Sequence, residues 1–251
     1  MIAVSIVSHG HGDMVEHLVG RLLHYSQVKR LVLTLNVPES LSLPTEERLT
    51  IIRNPSPKGF GANHNAAFGF CDQPFFCVLN PDVELAENPF PLLLEALSRH
   101  GASLIAPMVR TRSGEWEDNA RHFPTVRSLM LKALFQERGC YPMDSGQDTS
   151  FPDWVAGMFM LFDSNDYDQL KGFDQGFHLY YEDVDICART WASGMKVAAC
   201  ARVNVIHDAR RDSRRNVAYL YWHLRSMIRY LRKYGSSLKR KDVMSGSDMI
   251  S

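Results

Sequence analysis

The stretch Phe75-Phe-Cys-Val-Leu-Asn-Pro-Asp82 is five apolar residues running into a polar turn that carries a carboxylate. A run this short, bounded by turn residues, fits a strand buried on both faces better than a helix. The chain opens on the same design: Ile2–Ser8 is apolar and β-branched and stops at His9-Gly-His-Gly12. Val28–Leu35, Leu49–Arg53 and Ser103–Val109 read as further strands. Helical patterns separate them. Asp13 is expected to cap a helix through about His24, with Val15, Leu18, Val19 and Leu22 on one face. Ala62–Phe70 is a small-residue helix. Asn88, with Pro89 in the first position, opens another that Gly101 closes. This alternation predicts an α/β fold, a mixed and mostly parallel sheet flanked by helices. In such sheets ligands bind beyond the carboxyl ends of the strands, where the His-Gly-His-Gly loop and Asn80-Pro-Asp82 both stand.

The second half is less regular. Glu115–Asp148 is polar around a short apolar helix, Ser128–Phe135, and Asp153–Phe162 reads as one strand. The aromatic segment Gly172–Asp183 leads into a helix, Asp183–Ser193, stopped by Gly194. Lys196–Cys200 and Val203–His207 read as two strands, Asn216–Tyr234 as a long amphipathic helix, and residues 235–251 as a loose polar tail. At 251 residues, the chain suits one large domain or two small ones.

Composition narrows the function classes. Acidic and basic residues balance at 28 each, so no nucleic-acid partner is expected. The balance is uneven along the chain: from His207 to Lys241 eleven Lys or Arg face two Asp, a net charge of +9. Five cysteines, an odd number without a CxxC pair, argue against a disulfide framework or zinc knuckle and for a reducing cytoplasm. The first residues lack the basic segment of a signal peptide, and no stretch approaches the length of a membrane span.

Four constellations can carry chemistry. Asp82, at a strand end, is placed either to make a turn or to hold a divalent cation that neutralises a diphosphate. Glu182-Asp183-Val184-Asp185 is either a solvated helix start or a set of carboxylates that an aromatic approach makes fit for general base work. His207 ends a strand; beside Asp82 it would complete an Mg²⁺ or Mn²⁺ shell. Gly59 and Gly61, ahead of a helix, allow close backbone approach and a phosphate at the helix N-terminus. No GxGxxG follows the first strand, which disfavours a dinucleotide-dependent oxidoreductase.

In this order the pieces resemble family 2 glycosyltransferases with the GT-A fold, and most closely the rhamnosyltransferase-like branch that builds surface polysaccharides. The resemblance runs from Ile2 to about Tyr234. It is carried by Gly59-Phe-Gly-Ala-Asn-His-Asn65, Val78-Leu-Asn-Pro-Asp-Val83, Trp154-Val-Ala-Gly157, and the block from Gly172-Phe-Asp through Tyr181-Glu-Asp-Val-Asp185 and Gly194 to His207.

The resemblance implies an inverting transferase with Asp183 as catalytic base. It places Asp82 on the metal and the donor diphosphate, with Asn80 beside it, and His207 in the metal shell. Ser8, Asn36, Gly59 and Asn65 fall on the donor side, and Trp154, Gly157, Asp174, Glu182 and Asp185 on the acceptor side. It implies a divalent cation (Mg²⁺ or Mn²⁺), a nucleoside-diphosphate sugar donor with dTDP-L-rhamnose the first choice, and a saccharide or lipid-linked acceptor. Residues 1–234 would form one catalytic domain, with 1–110 holding the nucleotide sugar and 111–234 the acceptor and a C-terminal helical extension. Two positions depart from the family pattern: Leu35-Asn36 stands where Asp-Asn is usual, and Asn80 replaces the first Asp of the DxD motif.

Three rival readings share these residues: a non-catalytic sugar- or nucleotide-binding module, a nucleotidyltransferase, and a scaffold subunit docked through the basic helix. That helix also suggests peripheral contact with the inner face of the membrane.

Overall fold

A computed structural model describes residues 1–126, 128–130, 147–207 and 217–235. Its strands are β1 (Ile2–Ser8), β2 (Val28–Leu35), β3 (Leu49–Arg53), β4 (Phe75–Leu79), β5 (Leu104–Arg110), β6 (Trp116–Glu117), β7 (Ala120–Arg121), β8 (Thr149–Ser150), β9 (Trp154–Val155), β10 (Phe159–Asp163) and β11 (Val197–Ile206). Its helices are α1 (Asp13–Leu23), α2 (Phe60–Phe68), α3 (Phe90–His100), α4 (Ser164–Gln169), α5 (Glu182–Ala192) and α6 (Val217–Tyr234).

The main sheet runs β3-β2-β1-β4-β10-β5-β11-β8, with β6 added alongside β5. β3, β2, β1 and β4 are parallel neighbours, as are β5 and β11. β10 lies antiparallel between β4 and β5. The expected mixed, mostly parallel sheet is therefore present. β7 and β9 form a separate two-stranded ribbon.

Alternation along the central strands builds two cores. Val4, Ile6, Cys77 and Leu79 face α1 and α3, whose Val15, Leu18, Leu22, Phe90 and Leu93 complete that layer. Ala3, Phe76 and Val78 face the other way, into a layer with Tyr167, Phe173, Ile186, Trp191 and Tyr230. A strand buried on both faces must be apolar at every position, which is why β1 and β4 read as unbroken apolar runs.

Several expected boundaries move. Gly12, at φ 54°, is the cap of α1, and Asp13 is the first helical residue, where its charge suits the helix dipole. Pro89 occupies the cap position of α3, while the Asn88 side chain still accepts the Phe90 N–H at 3.2 Å. Gly101 closes α3 in the left-handed conformation, as expected. The single strand expected over Asp153–Phe162 is two, β9 and β10, in different sheets and separated by Ala156-Gly157-Met158. The two strands expected over 196–207 are one, β11, with a register shift between Cys200 and Asn204. The tail and most of the expected Ser128–Phe135 helix lie outside the described residues. No described helix is long and apolar enough to cross a membrane.

Candidate active site

The sheet brings two poles together at the carboxyl ends of its parallel strands. The first is built by β4 and β11. Asp82 follows the end of β4, and His207 follows the end of β11. Glu84 and Ile206 exchange backbone hydrogen bonds (2.8 and 3.0 Å), and His207 N–H donates to the Arg110 carbonyl at 2.9 Å. These ties set His207 Nε2 3.5 Å from Asp82 Oδ2.

Burial works against ionisation of Asp82, but the hydrogen bond and charge of His207 outweigh it and hold the carboxyl below its ordinary value; His11 adds a smaller pull. Asp82 Oδ1 is buried and has no hydrogen-bond partner among the described residues. Behind His207, Glu117 Oε2 lies 3.8 Å from Nδ1. Nothing in the sequence singled out Glu117, since β6 is only two residues long. His11, in the loop after β1, acts on Asp82 through charge.

The second pole is the start of α5. Tyr180 and Tyr181 both take left-handed backbone conformations (φ 69° and 67°). Such geometry is costly for residues with a β-carbon, and it concentrates at functional turns. It sets Asp183 in the first turn of α5, partly exposed. Asp183 Oδ2 accepts the Gly157 N–H at 3.0 Å, and Oδ1 accepts that of Val184 at 2.8 Å.

Glu182 is buried, 5% exposed, and its Oε2 has no hydrogen-bond partner among the described residues. Burial, and then the charge of Asp183, push the Glu182 carboxyl well above its ordinary range. Burial also raises Asp183, against the two N–H donors and Arg121. With two amide donors on Asp183 and an orphaned oxygen on Glu182, Glu182 is the member that keeps the proton and Asp183 the one that ionises.

One short segment joins the poles. Gly157 N–H holds Asp183, and the next residue, Met158, accepts the Asn80 N–H through its carbonyl at 2.8 Å. The break between β9 and β10 is thus the bracket between the Asp82 turn and the Asp183 turn. A β-carbon on Gly157 would lie 3.4 Å from Phe60 Cζ and 3.5 Å from Asp183 Cβ, so the residue is packed between them.

The other expected site residues fare unevenly. Ser8 is buried at the end of β1, where its Oγ accepts the His11 N–H at 3.3 Å. Asn36 lies at the end of β2; its Oδ1 accepts from Lys58 N and Asn54 Nδ2 (both 2.8 Å), and its Nδ2 donates to Lys58 O. Trp154 is buried, its indole N–H on the His122 carbonyl at 2.9 Å, with Arg121 over its ring.

Five of the expected residues are engaged by protein groups. Gly59 packs closely on the 178 loop: a β-carbon there would lie 2.6 Å from the His178 carbonyl oxygen. The Asn65 amide clasps Phe173 N and O (2.9 and 2.8 Å) and the Tyr167 hydroxyl (2.7 Å). Glu182 is buried in the first turn of α5. Asp185 is wholly buried, ion-paired with Arg189 (2.8 Å) and Lys233 (2.7 Å) and bonded by the Tyr234 hydroxyl. Asp174 is engaged by Arg229 and Lys233, which outweigh burial and hold it far below its ordinary value. Asp174 and Asp185 therefore fasten α6 to the body of the protein. Their partners on α6 lie some fifty residues on, where the sequence gives no sign of them.

Beside the first pole a cavity of about 900 Å³ runs along α1; Met14, His17, Arg21, Asp82, Glu84 and His207 are among the residues lining it. Among the described residues no cluster of three or more His, Cys, Asp or Glu could hold a metal by itself. The pair present, one carboxylate with an unpartnered buried oxygen and one imidazole, fits a divalent cation that takes its remaining ligands from a diphosphate and water.

Known proteins resemble this chain in sequence and fold. The model of "Glycosyl transferase family 2" matches residues 37–150, and that of "N-terminal domain of galactosyltransferase" matches residues 146–210. Rhamnosyltransferase WbbL of Escherichia coli is 27% identical over 244 residues, 92% of each chain. N-acetylglucosaminyl-diphospho-decaprenol L-rhamnosyltransferase of Mycobacterium tuberculosis is 28% identical over 164 residues, 61% of this chain and 53% of that protein. Among solved structures, GalNAc-T7 with UDP, GalNAc and Mn²⁺ superimposes with a TM-score of 0.61 at 14% identity, over 82% of this chain and 43% of that one. The mannosyltransferase PcManGT of Pyrobaculum calidifontis, in complex with GDP-Man and Mn²⁺, gives 0.58 at 11% identity, over 92% and 64%. This chain thus spans about half the length of the mycobacterial relative and 43% and 64% of the two solved structures. Sheet order, motif order and these likenesses together support a family 2 glycosyltransferase-like protein, similar to the rhamnosyltransferases and with the fold of the two solved transferases.

Proposed function

We propose that this chain is an inverting glycosyltransferase of glycan assembly in the cytoplasm. It would move a sugar from a nucleoside-diphosphate donor, dTDP-L-rhamnose by its likeness to the rhamnosyltransferases, to a saccharide or lipid-linked acceptor. The observation that carries this reading is the Gly157–Met158 bracket, which ties a partly exposed, ionisable Asp183 to the Asp82–His207 pole. A base and a site for leaving-group charge, held by one short segment, are what displacement at an anomeric carbon needs.

In the step itself, Asp183 Oδ accepts the proton of an acceptor hydroxyl. The freed oxygen bonds to the anomeric carbon from the face opposite the diphosphate. The bond from that carbon to the diphosphate oxygen breaks, and its electron pair leaves with the nucleoside diphosphate. Asp82 and His207 would hold a divalent cation, which supplies Lewis-acid stabilisation of that leaving charge. Glu182 keeps its own proton, so Asp183 meets the acceptor without a second negative charge alongside. The mycobacterial relative's name includes a decaprenol-linked substrate, which supports a lipid-linked acceptor here.

A panel of nucleoside-diphosphate sugars, each with Mn²⁺ or Mg²⁺, tests the reading by thermal stabilisation and by release of the nucleoside diphosphate. The expected result is stabilisation and turnover with dTDP-L-rhamnose above UDP- and GDP-sugars. Equal indifference to every donor would overturn the reading.

A further inference from the structure

α6 carries two apolar faces, and only one is packed. On the inner side Tyr230 is fully buried, Ser226 Oγ donates to the Leu179 carbonyl at 2.8 Å, and Trp222 stacks on His178 at 4.1 Å. The His223 ring meets the rings of Tyr180 and Tyr181. On the outer side Leu220, Tyr221, Leu224 and Ile228 are 44–57% exposed. Residues 220, 224 and 228 are four apart, so they form one stripe about 12 Å long. Arg225 and Arg232 are exposed beside it, a shallow groove runs along this face, and α6 contains no acidic residue.

We propose that this outer face lies on an anionic bilayer surface. Large apolar side chains beside exposed cations match the boundary between headgroups and acyl chains. A second copy of the chain fits the face less well. A two-fold pairing would set Arg225 and Arg232 against their own counterparts, and four apolar side chains fall short of the ~20 residues a side that stable interfaces use. Position adds to the argument. The inner face of the same helix holds Leu179, Tyr180 and Tyr181, the residues that lead straight into Glu182 and Asp183. The bilayer would therefore lie about one helix diameter, roughly 10 Å, from the segment that positions Asp183. This deepens the lipid-linked-acceptor part of the proposed function, but membrane binding needs no turnover, so either reading can fail alone.

The test is co-sedimentation of the full chain with vesicles of phosphatidylcholine alone or mixed with phosphatidylglycerol, without donor. Binding is expected to the mixed vesicles at low salt and to be released at high salt, with none to phosphatidylcholine alone. Arg225→Ser with Arg232→Ser should weaken binding about twenty-five-fold, near fivefold per cation, and flatten its salt dependence. Tyr221→Ser with Leu224→Ser and Ile228→Ser should weaken it at least about tenfold. Both variants should keep the parent melting temperature, because the replaced side chains are exposed. No binding to mixed vesicles at low salt would overturn the proposal. So would full binding by the apolar-face variant, or salt-independent self-association of the chain through this face in place of vesicle binding.

Discussion

Replacing Glu182 by glutamine removes one titration from the protein and leaves its shape nearly unchanged. The wild-type carboxyl is buried, has an oxygen without a partner, and lies beside Asp183, so its folded-state pKa stands above the ordinary glutamate value of 4.5. The sign follows from linkage. With the folded value raised, the folded protein binds more protons than the unfolded chain. Stability is then full below the unfolded value and is lost as pH rises towards the folded value. The loss is about 1.4 kcal/mol per pH unit within that window. Glutamine does not titrate, so the variant escapes it. At about pH 4 the two proteins should be equally stable, since an amide replaces a neutral acid of the same size. From about pH 5 to about pH 7 the variant should draw ahead, by roughly 3–5 °C in Tm per pH unit for a chain of this length. Melting curves followed by circular dichroism at half-unit pH steps measure the gap, and Asp183, present in both proteins, largely cancels. A gap that stays constant, or narrows with rising pH, would refute the reasoning that Glu182 holds a proton in the folded state.

Asp82→Ala should abolish the gain in nucleoside-diphosphate affinity that Mn²⁺ confers on the wild type, a loss of at least about tenfold by calorimetric titration; an undiminished metal effect would remove Asp82 from that pole. Asp185→Ala should destabilise the protein by about 3 kcal/mol, because it leaves Arg189, Lys233 and the Tyr234 hydroxyl without their shared carboxylate; denaturant unfolding within 1 kcal/mol of wild type, on the order of error for such a measurement, would argue against the fastening role. Gly59→Ala should cost roughly 1–3 kcal/mol and displace α2 from the His178 loop, since the added carbon meets a backbone carbonyl that has nowhere to go; unchanged melting would show that the loop yields freely.

Much of the frame was legible in the sequence. β1 to β5 and the helices between them carry periodicities that depend only on near neighbours, and the parallel run of strands followed from their alternation. Asp82 and His207 were legible as strand-end residues, although their meeting depends on the Glu84–Ile206 pairing between segments more than a hundred residues apart. What was not legible depends on long-range partners. Asp185 reads as one of a run of carboxylates, and Asp174 as an acceptor-side residue, until Arg229 and Lys233 from α6 engage them. Asn65 sits in a motif that suggests a ligand, and its ligand is the Phe173 backbone. The 153–162 segment is apolar enough for one strand, but Gly157 must approach Asp183, and the chain breaks there to make the bracket. Glu117 lies in a strand too short to register as a pattern at all.

The central claim is that Asp183 takes the acceptor proton while the Asp82–His207 pole receives the leaving diphosphate. It is tested most directly in Asp183→Asn, by measuring binding of dTDP-L-rhamnose together with acceptor-dependent release of dTDP. Asparagine keeps the acceptor geometry for the Gly157 N–H but cannot take a proton. The account predicts donor affinity within about threefold of wild type and turnover lowered by roughly 10²–10⁴-fold. Near-normal turnover by the variant would contradict it.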